Sequence, residues 1–380
     1  MPIRTLFILG TRPEAVKLCP VIRHLRQHPE FHVDVCATAQ HREMLDAVLN
    51  FFEVTPDYDL NVMAPGQTLY RSTSRIIGAL EDVFAAARPD VAIVQGDTTT
   101  TFCGALAAFY AKAAVAHVEA GLRTGNMLSP FPEEMNRVLT TRLTTLHLAP
   151  TGWAAGNLTA EGVPEAAIAI TGNPGIDAVL YVRDRLAAGE AGRAAPAGEN
   201  HDRRTVLVTA HRRESFGEGF ERICSALERL AAREDVRILY PVHPNPNVRG
   251  VVERRLGGVP NVDLIDPLDY VPFVDAMRHA YLILSDSGGV QEEAPSLGKP
   301  VLVLRENTER PEGVDAGTVK LVGTDVETIV KEANRLLDDP DEYGRMARMG
   351  NPYGDGHASE RIAEALLAQF ERRADHGQAP

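Results

Sequence analysis

Cysteine is scarce in this sequence, and long apolar runs are missing. Only four of the 380 residues are cysteines, and they stand singly, without a CxxC pair, at Cys19, Cys36, Cys103 and Cys224. That spacing argues against a disulfide framework and against a structural zinc site. The N-terminal apolar run is short and enters a polar turn, which fits neither a signal peptide nor a membrane span. We therefore expect a cytoplasmic protein without a membrane partner.

Basic residues are also in the minority. Lys and Arg number 39 against 52 Asp and Glu, which gives a formal net charge of −13. This balance would repel a polyanionic duplex unless the basic residues were gathered in one patch, so nucleic acid is a poor candidate partner. A small anion such as a nucleotide stays open, because a few local cations and helix N-termini can bind one.

The spacing of apolar residues predicts the fold class. Short β-rich runs alternate with longer segments of helical spacing, which is typical of a parallel sheet covered by helices. The strands are predicted at 6–9, 33–37, 91–95, 114–118, 145–148 and 168–170, and after a polar connection at 187–203 they resume at 206–209, 238–242, 262–265, 281–285, 301–304 and 319–322. The sequence thus predicts an α/β protein with two Rossmann-like domains whose strand-end loops face one cleft.

Three acidic residues stand where predicted strands of the first domain end or the next helix begins. Asp97 could be a helix N-cap, and Glu133 could complement a helix dipole, but Glu119 directly follows a strand and has no such structural explanation. Loops of one sheet would bring the three carboxylates together, and their repulsion would raise at least one pKa toward the range of acid–base catalysis. Binding of a metal through oxygen ligands uses the same residue types and remains an alternative.

Cations and histidines recur in other strand-end loops. Arg12 and Lys17 flank the start of the first helix and could bind an anion there. The loop matches neither GxGxxG nor a Walker sequence, which disfavours NAD and ATP. In the second domain His211 and His243 each follow a predicted strand. We interpret them as a candidate base and a candidate phosphate ligand.

The segment with the most specific pattern lies late in the second domain. Ser287, Gly288 and Gly289 separate a predicted strand from a helix, so that free backbone N–H groups could approach a phosphate. Glu293 follows about one helical turn later, at a spacing suited to a ribose diol. This arrangement predicts binding of a nucleoside diphosphate.

Eight segments in these loops carry a family resemblance. They are Gly10-Thr11-Arg12-Pro13-Glu14, Gly96-Asp97-Thr98, Val118-Glu119-Ala120-Gly121-Leu122-Arg123, Pro132-Glu133-Glu134-Met135-Asn136-Arg137, His211-Arg212-Arg213-Glu214, His243-Pro244-Asn245-Pro246, Asp286-Ser287-Gly288-Gly289-Val290-Gln291-Glu292-Glu293-Ala294 and Glu309-Arg310-Pro311-Glu312. Together, and in this order over essentially the whole chain, they resemble the bacterial non-hydrolysing UDP-N-acetylglucosamine 2-epimerases.

The resemblance implies a glycosyltransferase-B architecture and a reaction. The first domain would comprise residues 1–171 and a returning helix at 357–380, and the UDP-binding domain residues 172–356. The activity would interconvert UDP-GlcNAc and UDP-ManNAc by eliminating UDP to 2-acetamidoglucal and adding it back, without NAD or an obligatory metal. The resemblance further implies a cytoplasmic homodimer that serves cell-surface polysaccharide biosynthesis.

Residue roles follow from the matching motifs. The resemblance implies that Asp97, Glu119 and Glu133 form the catalytic acidic set and that His211 acts near the diphosphate. It also implies that UDP is held by Arg12, His243, Ser287, Gly288, Gly289, Glu293 and Arg310, with Phe273 beside the uracil. Lys17, from the first loop, completes the candidate anion-binding set.

One departure from the family concerns regulation. Some members bind a second, activating UDP-GlcNAc, and the matching residues here are Gln40, His41 and Gln67. Glu43 and Gly66 replace a Gln and an Arg, so we expect weak or altered activation. Two alternatives to the epimerase remain: a glycosyltransferase of the same architecture and a silent UDP-sugar sensor.

Overall fold

Two parallel sheets organise the chain. The computed structural model describes residues 1–38, 42–62, 66–190 and 203–375. The protein divides into two units, one formed by Met1–Ala178 with Tyr353–Pro380 and the other by Val179–Pro352. Among the helices in the described ranges, none is long and apolar enough to cross a membrane.

The first unit is built on seven parallel strands in the order β3-β2-β1-β4-β5-β6-β7. The strands are β1 (Ile3–Leu9), β2 (Phe31–Ala37), β3 (Tyr58–Asp59), β4 (Val91–Gln95), β5 (Ala114–Val118), β6 (Leu146–Ala149) and β7 (Ile168–Ile170). The helices are α1 (Arg12–Leu25), α2 (Arg42–Phe51), α3 (Leu69–Ala87), α4 (Thr99–Tyr110), α5 (Glu133–Leu143), α6 (Gly152–Ala160) and α7 (Pro174–Ala187).

The order of the strands locates the candidate site in this sheet. The chain moves outward from β1 to β3 on one side and from β4 to β7 on the other, so the order reverses between β1 and β4. Ligands of open α/β sheets bind at the carboxyl ends of the strands beside such a reversal. Strands β4 and β5 are entirely buried, which is why apolar residues dominate their sequences instead of alternating with polar ones, Gln95 and His117 being the exceptions.

The second unit repeats this plan with six parallel strands in the order β10-β9-β8-β11-β12-β13. The strands are β8 (Arg204–Thr209), β9 (Val236–Pro241), β10 (Val262–Ile265), β11 (Leu282–Ser285), β12 (Val301–Val303) and β13 (Val319–Leu321). The helices are α8 (Glu218–Ala231), α9 (Pro246–Leu256), α10 (Tyr270–His279), α11 (Gly288–Glu293), α12 (Pro311–Asp315), α13 (Val326–Asp338) and α14 (Pro340–Ala347). The order reverses between β8 and β11, the strands that precede His211 and Ser287.

The last helix, α15 (Ala358–Asp375), belongs to the first unit and contacts α1. Its first N–H groups, those of Ala358 and Ser359, donate to the buried carboxylate of Asp177 at 3.2 and 2.8 Å. The segment that leads into it is anchored as well, because the N–H of Asn173 donates to the carbonyl of Tyr353 at 2.7 Å.

The division between the units falls between Ala178 and Val179, within α7, seven residues after the boundary placed at 171 from the sequence. The difference arises because α7 is one continuous helix whose first turn packs with the first unit. The return to the first unit begins at Tyr353, four residues before the position predicted. Most of the expected connection at 187–203 lies outside the described residues.

Candidate active site

A buried carboxylate joins the loops that follow β1 and β4. Glu14 is 1% exposed, and its Oε2 accepts from the N–H groups of Gly10 and Thr11 at 2.9 and 2.7 Å. Its Oε1 accepts from the Thr98 hydroxyl at 2.6 Å. Burial raises the pKa of Glu14, and the hydrogen bonds from Thr98, Gly10 and Thr11 oppose that rise. Glu14 therefore fixes the turn that carries Arg12 to the turn that carries Asp97.

Glu119 lies at the end of β5 and is held by two side chains. The Lys17 ammonium donates to both carboxylate oxygens at 2.6 Å, and the Gln95 amide donates to Oε2. The backbone of Glu119 has a φ of +62°, a left-handed conformation that is uncommon for a residue with a side chain. Two donors from α1 and β4 and a fixed turn thus determine where this carboxylate lies.

Asp97 lies at the end of the neighbouring strand, β4, and has a cation of its own. Arg137 donates through Nη2 to Asp97 Oδ2, and the Asn136 amide donates to the Asp97 carbonyl at 2.8 Å. The other side of the Arg137 guanidinium lies 3.3 Å from Glu134 Oε2. The loop after β4 is therefore fixed to the first two turns of α5.

Of the two adjacent acids that begin α5, one is structural. Glu134 is 1% exposed, and its Oε1 accepts from the N–H groups of Thr124 and Gly125 at 3.0 and 2.9 Å. Glu133 is half-buried, and its side chain makes no hydrogen bond or ion pair with any residue in the described ranges. Glu133 is thus the acid of this pair whose carboxylate is available to a ligand.

The carboxylates of the first unit differ from the sequence-based picture of mutually repelling acids. Asp97 is paired with Arg137 and Glu119 with Lys17, so each charge is compensated by a cation from the same unit. Sequence spacing could not reveal these pairs, because the partners are 40 and 102 residues apart. In the part of the chain that the structure describes, no three His, Cys, Asp or Glu side chains group as metal ligands.

Two histidines beside these acids are buried on adjacent strands. His117 on β5 and His147 on β6 are paired in register, and His117 Nε2 lies 2.7 Å from the Gly96 carbonyl. Burial lowers the pKa of His117 to about 3 and that of His147 to about 4. Both rings are therefore neutral near neutral pH and support the sheet below the acidic loops.

In the second unit, Asp286 organises the loop after β8. Its carboxylate is fully buried, and Oδ2 accepts from the N–H groups of His211 and Arg212, both at 2.7 Å. His211 Nδ1 lies 3.4 Å from Oδ1. Burial lowers the pKa of His211, the charge of Asp286 opposes this, and Arg212 and His243 add to the lowering. Sequence reasoning missed Asp286, whose place directly before the Ser-Gly-Gly segment was the available signal.

His211 and His243 form one stacked pair. Their ring centroids are 5.2 Å apart with an interplanar angle of 15°. The N–H of Asn245 donates to His243 Nδ1 at 3.1 Å, so a neutral His243 ring carries its proton on Nε2. The structure thus brings together the two histidines that follow neighbouring strands β8 and β9.

Gly288, at the start of α11, makes room for an arginine. A Cβ placed on Gly288 would come within 2.5 Å of the Arg310 guanidinium. Arg310 donates through Nε to Glu292 Oε1 at 2.5 Å and lies 3.6 Å from Glu309. Only a glycine lets the guanidinium approach the first turn of this helix, where backbone N–H groups lack partners within the helix.

A second arginine connects the loops after β8 and β12. Arg305 is 8% exposed and donates to Glu214 at 2.5 Å and to Glu309 at 2.8 Å. Burial of Glu309 opposes its ionisation, but the hydrogen bond from Arg305, a backbone hydrogen bond and the charge of Arg310 lower its pKa to about 2. Glu309 is therefore an anion that holds both arginines.

The remaining candidates lie in several elements. Glu293 is half-buried at the end of α11. The buried hydroxyl of Tyr270 has no hydrogen-bond partner among the described residues, and burial and the charge of Glu293 raise its pKa. Phe273, also half-buried, lies one turn further along α10. Arg12 is half-buried and makes no ion pair with a residue in the described ranges.

Of the three candidate regulatory residues, the structure describes Gln67. Gln40 and His41 lie outside the described residues. The Gln67 amide donates to the Val62 carbonyl at 3.3 Å, and its Oε1 accepts from Ser72 at 3.4 Å. Gln67 is thus used to hold the start of α3.

Two Rossmann-like units with clustered acids in one and a glycine-rich, arginine-covered turn in the other define a class: α/β proteins of the glycosyltransferase-B type. A family model described as UDP-N-acetylglucosamine 2-epimerase matches residues 23–367. The chain therefore belongs to the UDP-N-acetylglucosamine 2-epimerase family, whose members are isomerases. The resemblance, fold class and enzyme class predicted from the sequence are confirmed.

Individual relatives agree with this assignment. The chain is 56% identical over 368 residues to the UDP-N-acetylglucosamine 2-epimerase of Escherichia coli K12, covering 96% of this chain and 98% of that one. It is similar to the crystal structure of the Neisseria meningitidis UDP-GlcNAc 2-epimerase bound to UDP-GlcNAc, with a TM-score of 0.90, 48% identity and coverage of 96% and 100%. It is also similar to the Methanocaldococcus jannaschii enzyme in complex with UDP-GlcNAc and UDP, with a TM-score of 0.80, 34% identity and the same coverage.

Proposed function

We propose that this protein interconverts UDP-GlcNAc and UDP-ManNAc. In the forward direction a base removes the C2 proton, the C1–O bond to UDP breaks, and a C1–C2 double bond forms, giving 2-acetamidoglucal and UDP. In the second step a proton is delivered to the opposite face of C2, and a diphosphate oxygen of UDP adds back to C1. The observation that carries the proposal is that the three motif acids lie at the ends of β4 and β5 and at the start of α5, with a cation beside Asp97 and Glu119 and none beside Glu133 among the described residues.

The acids of the first unit supply the groups for proton transfer in this proposal. Asp97 and Glu119 are fixed by Arg137 and Lys17, whereas Glu133 has no cationic partner among the described residues. The reaction requires a base at one face of C2 and an acid at the other, and these three carboxylic acids are the candidates for both roles. Lys17, which the sequence suggested as an anion ligand, pairs with Glu119 instead of binding UDP in this proposal.

The second unit binds UDP in this proposal. The N–H groups of Gly288 and Gly289, the Ser287 hydroxyl, Arg310 and His243 hold the diphosphate. Glu293 accepts from the ribose, and Phe273 lies beside the uracil. Breaking the C1–O bond increases the negative charge of the departing diphosphate, and fixed donors stabilise charge that develops in the transition state.

In this proposal His211 is the residue of the second unit that exchanges a proton. Its neutral ring directs Nδ1 toward Asp286, which leaves Nε2 for the ligand. Uptake of a proton at Nε2 would give an imidazolium whose charge is compensated by the buried Asp286 carboxylate. We assign His211 to the diphosphate as a group that stabilises UDP when it leaves.

The deciding experiment is incubation with UDP-GlcNAc in D2O, followed by NMR. We expect UDP-ManNAc with deuterium at C2. Unchanged substrate, or sugar transferred only after an acceptor is added, would reject the proposal in favour of a sensor or a glycosyltransferase. Asp97→Asn, Glu119→Gln and Glu133→Gln should each lose at least about 10²-fold in kcat. The exposed Glu81→Gln in α3 is the control and should keep full activity.

Three finer features complete the proposal. We propose that the protein acts as a homodimer, which sedimentation at micromolar concentration would test. We propose a cytoplasmic role in supplying UDP-ManNAc for cell-surface polysaccharides. Because Glu43 and Gly66 replace a Gln and an Arg, we also propose weak activation by UDP-GlcNAc. Sigmoidal UDP-ManNAc kinetics that a trace of UDP-GlcNAc abolishes would contradict that last point.

A further inference from the structure

Gln95 is a buried polar residue that the proposed function does not use. It is the last residue of β4 and is 3% exposed. Its backbone carbonyl accepts from the Thr101 hydroxyl at 2.6 Å, and the chain turns directly afterwards at Gly96, whose φ is +74°. The side chain therefore leaves a fixed piece of backbone, and its amide Nε2 donates to Oε2 of Glu119.

The two donors to Glu119 constrain it differently. Lys17 lies 2.6 Å from both oxygens, and an ammonium on a flexible stem attracts a carboxylate without fixing its rotation. The Gln95 amide is planar and donates to one oxygen only, so it selects an orientation. A carboxylate is acceptor-only, which requires Nε2 and not Oε1 of Gln95 to face it.

We infer that Gln95 is a positioning residue: its amide sets the orientation of the Glu119 carboxylate for proton transfer with the sugar, and it acts through Glu119 rather than on the substrate. The inference rests on the proposed function of Glu119. On this inference the neutral Gln95 amide is one of the groups on which kcat depends. It also explains why a polar residue ends an otherwise apolar, fully buried strand.

The first test replaces the amide by side chains of similar size that cannot donate. Gln95→Leu and the unbranched Gln95→Met should lower kcat by about 10- to 100-fold, the effect of losing one hydrogen bond to a charged group. KM for UDP-GlcNAc should change by less than about threefold, because the amide contacts Glu119 and not the ligand. The exposed Gln27→Leu, just after α1, is the matched control and should match the wild type.

A double-mutant cycle then separates positioning from a merely structural role. In a Glu119→Gln background, Gln95→Leu should cause no further loss of C2 deuterium incorporation, because the carboxylate it orients is gone. Multiplied losses, a change in KM alone, or an unchanged kcat in both Gln95 variants would overturn the inference. Deuterium incorporation by the wild-type protein, measured in the same series, tests the proposed function separately. If the wild type incorporates deuterium, each of those results contradicts the role of Gln95 and not the proposed function. A Gln95→Leu variant that failed to fold would leave Gln95→Met to carry the same comparison.

Discussion

Replacing Asp286 by Asn is expected to slow turnover by weakening the imidazolium form of His211. The amide oxygen of Asn can still accept from the N–H groups of His211 and Arg212, so the loop should keep its shape. The negative charge 3.4 Å from His211 Nδ1 is lost. At an effective dielectric constant of about 20, a charge pair at that distance is worth about 5 kcal/mol. Because the His211 side chain is 37% exposed, solvent screening reduces this to about 1–2 kcal/mol, or about 5- to 30-fold in kcat.

The pH dependence gives this prediction its sign. Burial lowers the pKa of His211 and the charge of Asp286 raises it, so the Asn variant should have a still lower His211 pKa. Lowering the pH restores the imidazolium, and because both pKa values lie below the ordinary histidine value of about 6.5, the ratio of variant to wild-type kcat should rise as the pH falls from about 6.5 to about 5. The assay is epimerisation of UDP-GlcNAc followed across that range.

A matched control exists in the same unit. Asp275 is 2% exposed and also lies beside a histidine, with its Oδ1 3.2 Å from His279 Nδ1 and 3.0 Å from Arg278 Nη2, and neither of these partners is a candidate site residue. Asp275→Asn should leave kcat and its pH profile unchanged. A kcat ratio for Asp286→Asn that is flat across the pH range, or an effect on KM alone, would refute the reasoning.

Three further predictions concern ligand affinity and stability. Gly288→Ala should weaken UDP binding about 10- to 100-fold in calorimetry, because its Cβ would come within 2.5 Å of the Arg310 guanidinium. Gly250→Ala is the control and should bind UDP as the wild type does, because the space around Gly250 is open. Equal UDP affinities of the two variants would contradict this prediction. The pKa of His117 is about 3 in the folded protein, so as the pH falls the unfolded chain binds a proton that the folded chain does not, and stability decreases. His117→Gln removes this effect and should reduce the loss of unfolding free energy between pH 6.5 and 5 by up to about 2 kcal/mol in urea titrations. An unchanged pH dependence would argue against it. Asp177→Ala should destabilise the first unit by about 1–2 kcal/mol in thermal unfolding, since two N–H groups of α15 lose their acceptor, while the exposed Asp184→Ala should have no effect.

Much of the fold could be predicted from the alternation of apolar runs with helical segments. The strands predicted at 91–95, 114–118 and 262–265 coincide with β4, β5 and β10. The first strand was predicted only from residue 6, because Arg4 is polar and the apolar run begins later, and the two-residue β3 is too short to leave a pattern. The domain boundary predicted at 171 falls just before α7 (Pro174–Ala187), which runs from the first unit into the second without a break that a sequence pattern could mark.

The candidate site was predictable in its residue types and not in its partners. The positions of Asp97 and Glu119 followed from strand-end spacing. Their pairing with Arg137 and Lys17 depends on distances across the sheet that no local pattern contains. The sequence-based picture of mutually repelling carboxylates did not include the cation that lies beside each of these two acids. The two adjacent acids of α5 also look alike in the sequence. Only the fold reveals that the Glu134 carboxylate accepts from the backbone N–H groups of Thr124 and Gly125.

The bond between Glu14 and Thr98 has a consequence for engineering. The turn after β1 and the turn after β4 are 84 residues apart in sequence yet share one buried carboxylate. A designer who grafts the first turn onto another Rossmann-like scaffold must graft the Thr98 hydroxyl with it, since an incompletely satisfied buried carboxylate is expensive. The two turns are therefore one transferable part, and recombination between homologues with a crossover between them is tolerated only when both parents supply this pair.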